Sequence, residues 1–300
     1  MILTIAEIVL PVFLVTAVGA WIGRGRDIPT TALRHITYTI AGPAVIFSVL
    51  LESEIELQSL GLTALVSASM YVLMALVAWG GSTAARWDAT KRKGAVLALA
   101  SMNCANYGLP IMFYAFGDEG LAIGAMFMVT NLLFHMTLGV AVAAWERGEA
   151  PRARFVRFLK NPYLYAIILA LILRETGVGL PTVLLRPIEL VGQIWIPLML
   201  LLLGMQLVKL KVGEIWRPAT ALSLVKLLVP PALAFGLTEL LGIDGVWQAV
   251  LVLQSSTPTA VIGLLVAQEF DTRSDLVAAT LLVSTLGSVL TMSLLLGLLR

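Results

Sequence analysis

Of the 300 residues, 59% are hydrophobic and 13% charged, and the mean hydropathy is +0.94. Soluble domains carry about 25% charged residues, so a water-soluble fold is excluded and an integral membrane protein is indicated. The net charge of +2 names no polyanionic partner, and no nucleic-acid partner is expected. The one cysteine, Cys104, rules out an intramolecular disulfide. There is no zinc-type Cys/His cluster and no Gly-rich phosphate loop, so neither a metal nor a cofactor is expected.

Ten apolar stretches are expected to be helical spans, at 3–23, 34–51, 62–84, 94–116, 120–144, 162–179, 186–208, 218–241, 245–268 and 275–298. The first carries Glu7 and lacks a basic start or a small-residue cleavage site before Trp21, so it reads as a retained span. The sixth is short and interrupted by Arg174, Glu175 and glycines. The longest polar connection runs from Glu146 to Pro162. It divides the chain into a first half, 1–145, a linker, 146–161, and a second half, 162–300.

The halves resemble each other. The segment IPTTALRHI from Ile28 matches LPTVLLRPI from Leu180, and both precede a span with an internal proline, Pro43 or Pro197. GAVLALAS from Gly94 matches QAVLVLQS from Gln248 at nearly the same offset, about 152 to 154 residues. Five spans per half is an odd number, so the second half enters the membrane from the opposite side. The expected fold is therefore all-α and polytopic, ten transmembrane helices in two inverted five-helix repeats, a design recurrent in secondary transporters.

Assigned alternately to two faces, the loops place sixteen of the 20 lysines and arginines on one face and only Arg174, Arg186 and Arg300 on the other, with Lys226 inside a span. The basic face is then cytoplasmic and both termini lie outside.

The stretch NCANYGLP, from Asn103 to Pro110, is the polar interruption of the fourth span. Pro110 is expected to break the helix near mid-membrane, with Gly108 easing an irregular backbone. In the ninth span QSSTPTA, from Gln254 to Ala260, offers Pro258 as its counterpart, flanked by Ser255, Ser256, Thr257 and Thr259. Freed peptide groups in hydrocarbon cost several kcal/mol unless they are paired or line a cavity. The two breaks should meet, and half-helix N-termini would present free N–H groups to an anion. Asn103, Asn106 and Gln254 add neutral donors and acceptors. The plainer reading of the hydroxyls is that they bond to backbone carbonyls.

SMNCANYGLPIMFYAFG, VLQSSTPTAVIGLLVAQEFD and PAVIFSVLL together resemble the auxin efflux carrier family of plants and bacteria, over essentially the whole chain. The resemblance implies broken helices four and nine that cross, and a scaffold of helices one, two, six and seven through which a homodimer could form. It also implies elevator-like exchange of a small organic anion, such as a mono- or dicarboxylate or an auxin-like acid. It assigns the crossover asparagine to Asn103 and a polar substrate contact to Asn131. Plant members carry an acidic and a basic residue in span three; here LTALVSASMYVLMALVAWG has neither. The compact loops match the bacterial type, which sets the chain in a bacterial inner membrane, against lipid.

Three ionisable or polar side chains remain within spans. Lys226 either pairs, attracts the anion or snorkels to the interface. His135 either relays a proton or packs in the interior. Asn131, one turn before His135, shares its face and either lines the pocket or bonds a neighbouring helix. Alternative functions are a sodium-coupled symporter of the bile acid type and a ligand-binding membrane sensor; an enzyme is not expected, because the polar residues are mostly amides and hydroxyls.

Overall fold

The computed structural model describes residues 2–24, 28–53, 57–144, 159–160, 162–208 and 215–299, the side chains of residues 2–8 and 57 excepted. The expected linker, 146–161, lies outside the described residues apart from 159–160, as does Arg300. Among the described residues there is no strand, only one isolated β-bridge.

The helices in chain order are α1 (Ile2–Gly23), α2 (Thr30–Glu52), α3 (Leu57–Ala84) and α4 (Ala89–Ala100). A continuous helical run, Cys104–Ala143, follows. It turns at Gly117, whose φ of 63° and ψ of −148° are not helical, and so divides into α5 (104–116) and α6 (118–143). Then come α7 (Pro162–Thr176), α8 (Thr182–Leu207), α9 (Trp216–Leu240), α10 (Gly245–Ser255), α11 (Val261–Glu269) and α12 (Ser274–Leu299). Among the described residues, six helical stretches are long and apolar enough to cross a membrane: α2, α3 from Gln58, the run Cys104–Ala143, α8, α9 and α12. The other apolar stretches form α1, the 15-residue α7 and the short α4, α10 and α11.

Three prolines of the interrupted helices sit just past the interruption, whereas Pro187 lies inside the first half of α8. Pro43 comes directly after a wide π-turn in α2, Thr37–Ala41. Pro110 comes after a second such turn, Cys104–Gly108. Pro197 is three residues past Ile194, where α8 changes direction. Each sits in the first turn of a resumed helix, where the missing N–H has no intrahelical partner to lose. At the start of α4 the first turn is held by Asp88, whose carboxylate accepts from the Lys91 N–H at 2.9 Å. That bond keeps the Asp88 carboxyl below its ordinary range.

Packing sorts the helices into two groups. α1 lies along the second half of α8, and α2 packs on α7 and the first half of α8. In the other group α3 packs on α4 and α6, α9 on α12 and α10, and α12 on α4 and α11. The α1–α8 contact is backbone to backbone. A Cβ on Gly204 would run into the Thr16 carbonyl, and one on Gly19 would run into the Leu201 carbonyl. Small residues permit this approach where no hydrophobic drive joins helices in lipid. On the outside, Leu286, Leu290, Leu294 and Leu298 of α12 form one row at four-residue spacing, 62–78% exposed. That row meets hydrocarbon.

Gly204→Leu should push α1 away from α8. The expected loss is about 1–3 kcal/mol, read as a lower thermal unfolding midpoint in detergent; an unchanged midpoint would mean that the two helices can separate without penalty.

Candidate functional site

The centre of the molecule is built where α4 and α10 stop. α4 ends at Ala100, and Ser101 is extended at φ −75°, ψ 117°. α10 ends at Ser255, and the chain resumes as α11 at Val261. The two gaps pair antiparallel, Met102 opposite Thr259. The Asn103 N–H donates to the Pro258 carbonyl at 2.9 Å, and the Ala260 N–H donates to the Ser101 carbonyl at 3.2 Å.

The carbonyls freed at the end of α4 also find donors. Thr259 Oγ1 donates to the Ala98 carbonyl and Lys226 Nζ to the Leu99 carbonyl, each at 2.8 Å. Lys226 is fully buried, so it does not snorkel; its ammonium caps the C-terminal end of a half-helix, where the helix dipole favours a cation. Beside α10, the hydroxyls of Ser255, Ser256 and Thr257 donate back to Leu251, Val252 and Gln254 carbonyls at 2.7, 2.6 and 2.8 Å. The Thr259 N–H donates to Ser284 Oγ at 3.2 Å.

This geometry corrects the expected break in the fourth span. The chain leaves the helix at 101–103, seven to nine residues before Pro110, which lies inside α5 just past its wide turn and ends no helix. Pro258 lies inside its gap and faces Asn103, so it is not the counterpart of Pro110; an offset of 154 sets it level with Cys104. What opens the α4–α5 gap is pairing with the other gap, a tertiary effect that no proline at 101–103 announces. Gly108 is helical (φ −67°, ψ −54°). Its role is space: a Cβ there would overlap Gln254 Oε1, and one on Gly124 would come within 2.6 Å of Gln254 Nε2. Gln254 is thus clamped edge-on between two glycines, fully buried.

A cavity of about 630 Å³ opens beside the paired gaps, between the two helix groups. Asn103, Asn106, Asn131 and His135 lie on its wall. Gln254, Ser255, Ser256, Thr257, Pro258 and Thr259 do not; Pro258 and Thr259 take part in the pairing, and the buried Gln254 amide makes no hydrogen bond. Gly108, Pro110 and Lys226 are likewise off the wall. The wall includes the first residues after both gaps, Cys104–Asn106 and Ala260–Ile262, so two helix N-termini face it. Two amide donors there, Asn103 Nδ2 and Asn131 Nδ2, are buried without a partner. Asn106 Oδ1 accepts from Tyr38 OH at 2.7 Å, a bond between the two helix groups.

The sequence reading missed the α2 side of the cavity, where Thr31, Arg34, His35 and Tyr38 stand, and Gln206 of α8. One local signal marks the wall. Three wide π-turns, Thr37–Ala41, Cys104–Gly108 and His135–Gly139, all contribute residues to it. Such turns are rare and frequent at functional sites. Among the described residues, no three His, Cys, Asp or Glu side chains gather as a metal would need. A larger cavity, about 1030 Å³, lies at the other end of α2 and is lined in part by Glu52, Asp118, Glu119 and Glu189. Carboxylates and unfilled amide donors suit opposite guests, and the smaller cavity is the one at the paired gaps.

Comparison with known proteins bears on what such a cavity does. The family model described as Membrane transport protein matches residues 4–296. A protein of Methanothermobacter thermautotrophicus described as an uncharacterized transporter is 27% identical over 266 residues, 88% of this chain and 87% of its own length. Another so described, from Methanocaldococcus jannaschii, is 29% identical over 209 residues, 68% of this chain and 67% of its own length.

Lys226→Met should leave the Leu99 carbonyl without its charged donor. A loss of about 1–3 kcal/mol is expected for a buried acceptor left unpaired, measured by thermal unfolding in detergent; wild-type stability would show that the bond does not hold the α4 end.

Proposed function

The chain belongs to the membrane transport protein family, that of the auxin efflux carriers, and on that premise we propose that it is a secondary transporter of a small organic anion bearing a carboxylate. The family is one of transporters rather than enzymes, and the protein is integral to the membrane. The observation that carries the anion reading is the pair of buried, unfilled donors on the cavity wall, Asn103 Nδ2 and Asn131 Nδ2. An unmade buried hydrogen bond costs about 1–3 kcal/mol, and a carboxylate placed between the amides would satisfy both. Two helix N-termini and the guanidinium of Arg34 at the α2 side favour the same charge.

In this reading the two halves are inverted repeats, and the group holding the paired gaps moves against the group of α1, α2, α7 and α8 as an elevator. The Tyr38–Asn106 bond joins the groups on the side where the cavity is open and would part during that motion. The basic loops face the cytoplasm of a bacterial cell and both termini the outside. A homodimer would form through the static group. The substrate class covers mono- and dicarboxylates and auxin-like acids.

The test is a current screen of proteoliposomes on a solid support with malonate, malate, acetate and indole-3-acetate, with and without sodium and proton gradients. At least one should give a saturable current. Asn103→Ala and Asn131→Ala should each raise the half-saturating concentration about tenfold or more, the equivalent of about 1.4 kcal/mol, with folded yield unchanged. Neither current nor radiolabel uptake from any carboxylate, or wild-type behaviour in both variants, would remove the anion reading. Current that disappears when choline replaces sodium would instead favour the sodium-coupled symporter.

A further inference from the structure

Both histidines of the chain, His35 and His135, stand on the wall of the cavity. No carboxylate does among the described lining residues. Histidine is the side chain whose ordinary pKa falls between pH 5 and 8. The two differ in setting. His35 is exposed near the mouth, whereas His135 is 1% exposed, on the third wide turn and one helical turn from Asn131.

The ring of His135 is held on one side only. Its Nδ1 lies 2.9 Å from Ser101 Oγ, in the gap itself, and 3.2 Å from Tyr71 OH of α3. Gly139, one turn on, leaves the room that the Tyr71 hydroxyl fills. Nε2 makes no hydrogen bond within ordinary limits, and the ring also interacts with the Ile262 backbone of α11. The titratable and charged groups around it are few. Tyr71 faces it from α3, Cys104 from α5, Tyr163 from α7, and Arg34, His35 and Tyr38 across the cavity from α2. The charges of α4 sit at its start, Lys91–Lys93, and Lys226 is engaged with Leu99.

We propose that His135 is the proton site of the carrier, so that one proton enters the cavity with each anion bound. This rests on the anion reading above. In the tautomer that this step uses, Nδ1 carries the proton and the Nε2 lone pair, which has no hydrogen-bond partner, is the acceptor. Hydronium in the cavity gives up its proton, an N–H bond forms at Nε2, and water is left. The imidazolium then shares a helix face with Asn131, and a carboxylate bound at the Asn103 and Asn131 amides sits beside a compensating charge. The sign follows: the protonated form binds the anion better, so affinity falls as pH rises through the titration of His135.

The probe is whichever of malonate, malate, acetate and indole-3-acetate gives the largest wild-type uptake into proteoliposomes, followed by radiolabel, a readout that needs no net charge to move; if none is taken up, the anion reading falls and this proposal with it. Between pH 5.5 and 7.5 the half-saturating concentration in wild type should rise about fivefold or more relative to His135→Gln. His35→Gln should keep the wild-type pH dependence whatever its rate. Equal pH dependence in wild type and His135→Gln would overturn the proposal and leave the anion reading standing. His35→Gln also leaves one histidine for nitrogen NMR in nanodiscs, which does not depend on His135→Gln folding. Its ring should titrate between pH 5 and 8, and the same carboxylate should raise the midpoint by about one unit. A ring that stays neutral throughout, or a midpoint the carboxylate does not move, would overturn the assignment.

Discussion

The architecture depends on one requirement: in hydrocarbon, every peptide group must find a partner within the protein. A helix meets that demand locally, and two interrupted helices meet it only together. The N–H of Asn103 and the carbonyl of Pro258, the carbonyl of Ser101 and the N–H of Ala260 are each the other's solution. The same demand explains why residues around the gaps are polar and yet not available to a guest. Thr259 and Lys226 turn toward carbonyls that the break after α4 releases, and Ser255, Ser256 and Thr257 bond back to carbonyls of their own helix, α10. Polarity in the middle of a membrane protein is first of all repair of its own backbone.

What is left over after that repair defines the cavity. Asn103 and Asn131 keep donors in reserve, and the three wide turns aim Tyr38, Asn106 and His135 at the same space. A wide turn rotates the residues after it relative to those before it, so each lets one helix serve packing on one side and the cavity on another. The cavity lies between two helix groups, not within one, and the Tyr38–Asn106 hydrogen bond joins the groups there.

Composition and apolar run length were enough to read a helical membrane protein, because burying so many apolar residues in water is impossible. The two polar interruptions were also legible, since few other reasons exist for Asn, Gln and Ser to cluster in an apolar run. The location of the first break was not. Proline is the familiar breaker, and Pro110 drew the break toward itself, whereas the chain departs at Ser101 to join a partner some 150 residues away. Likewise the hydroxyls of the ninth span announce polarity but not direction. Whether Ser256 faces a guest or Val252 is settled by a rotation about one bond. Arg34 and Tyr38 escaped notice because they sit at the start of an otherwise ordinary helix. Only the fold brings that end beside Asn106.

α2 walls both cavities, the one with the amides from Thr31 to Thr39 and the one with the carboxylates from Val45 to Ser53. Only residues 40–44 stand between them, a barrier of about 9 Å from Thr39 to Val45 at 1.5 Å per residue. The protein thus carries two vestibules of opposite electrical character along a single rod, separated by less than two turns. A solute shifted by that short stroke would leave a chamber of amides and a guanidinium for one lined in part by carboxylates, so the two ends of the stroke differ in the charge they tolerate.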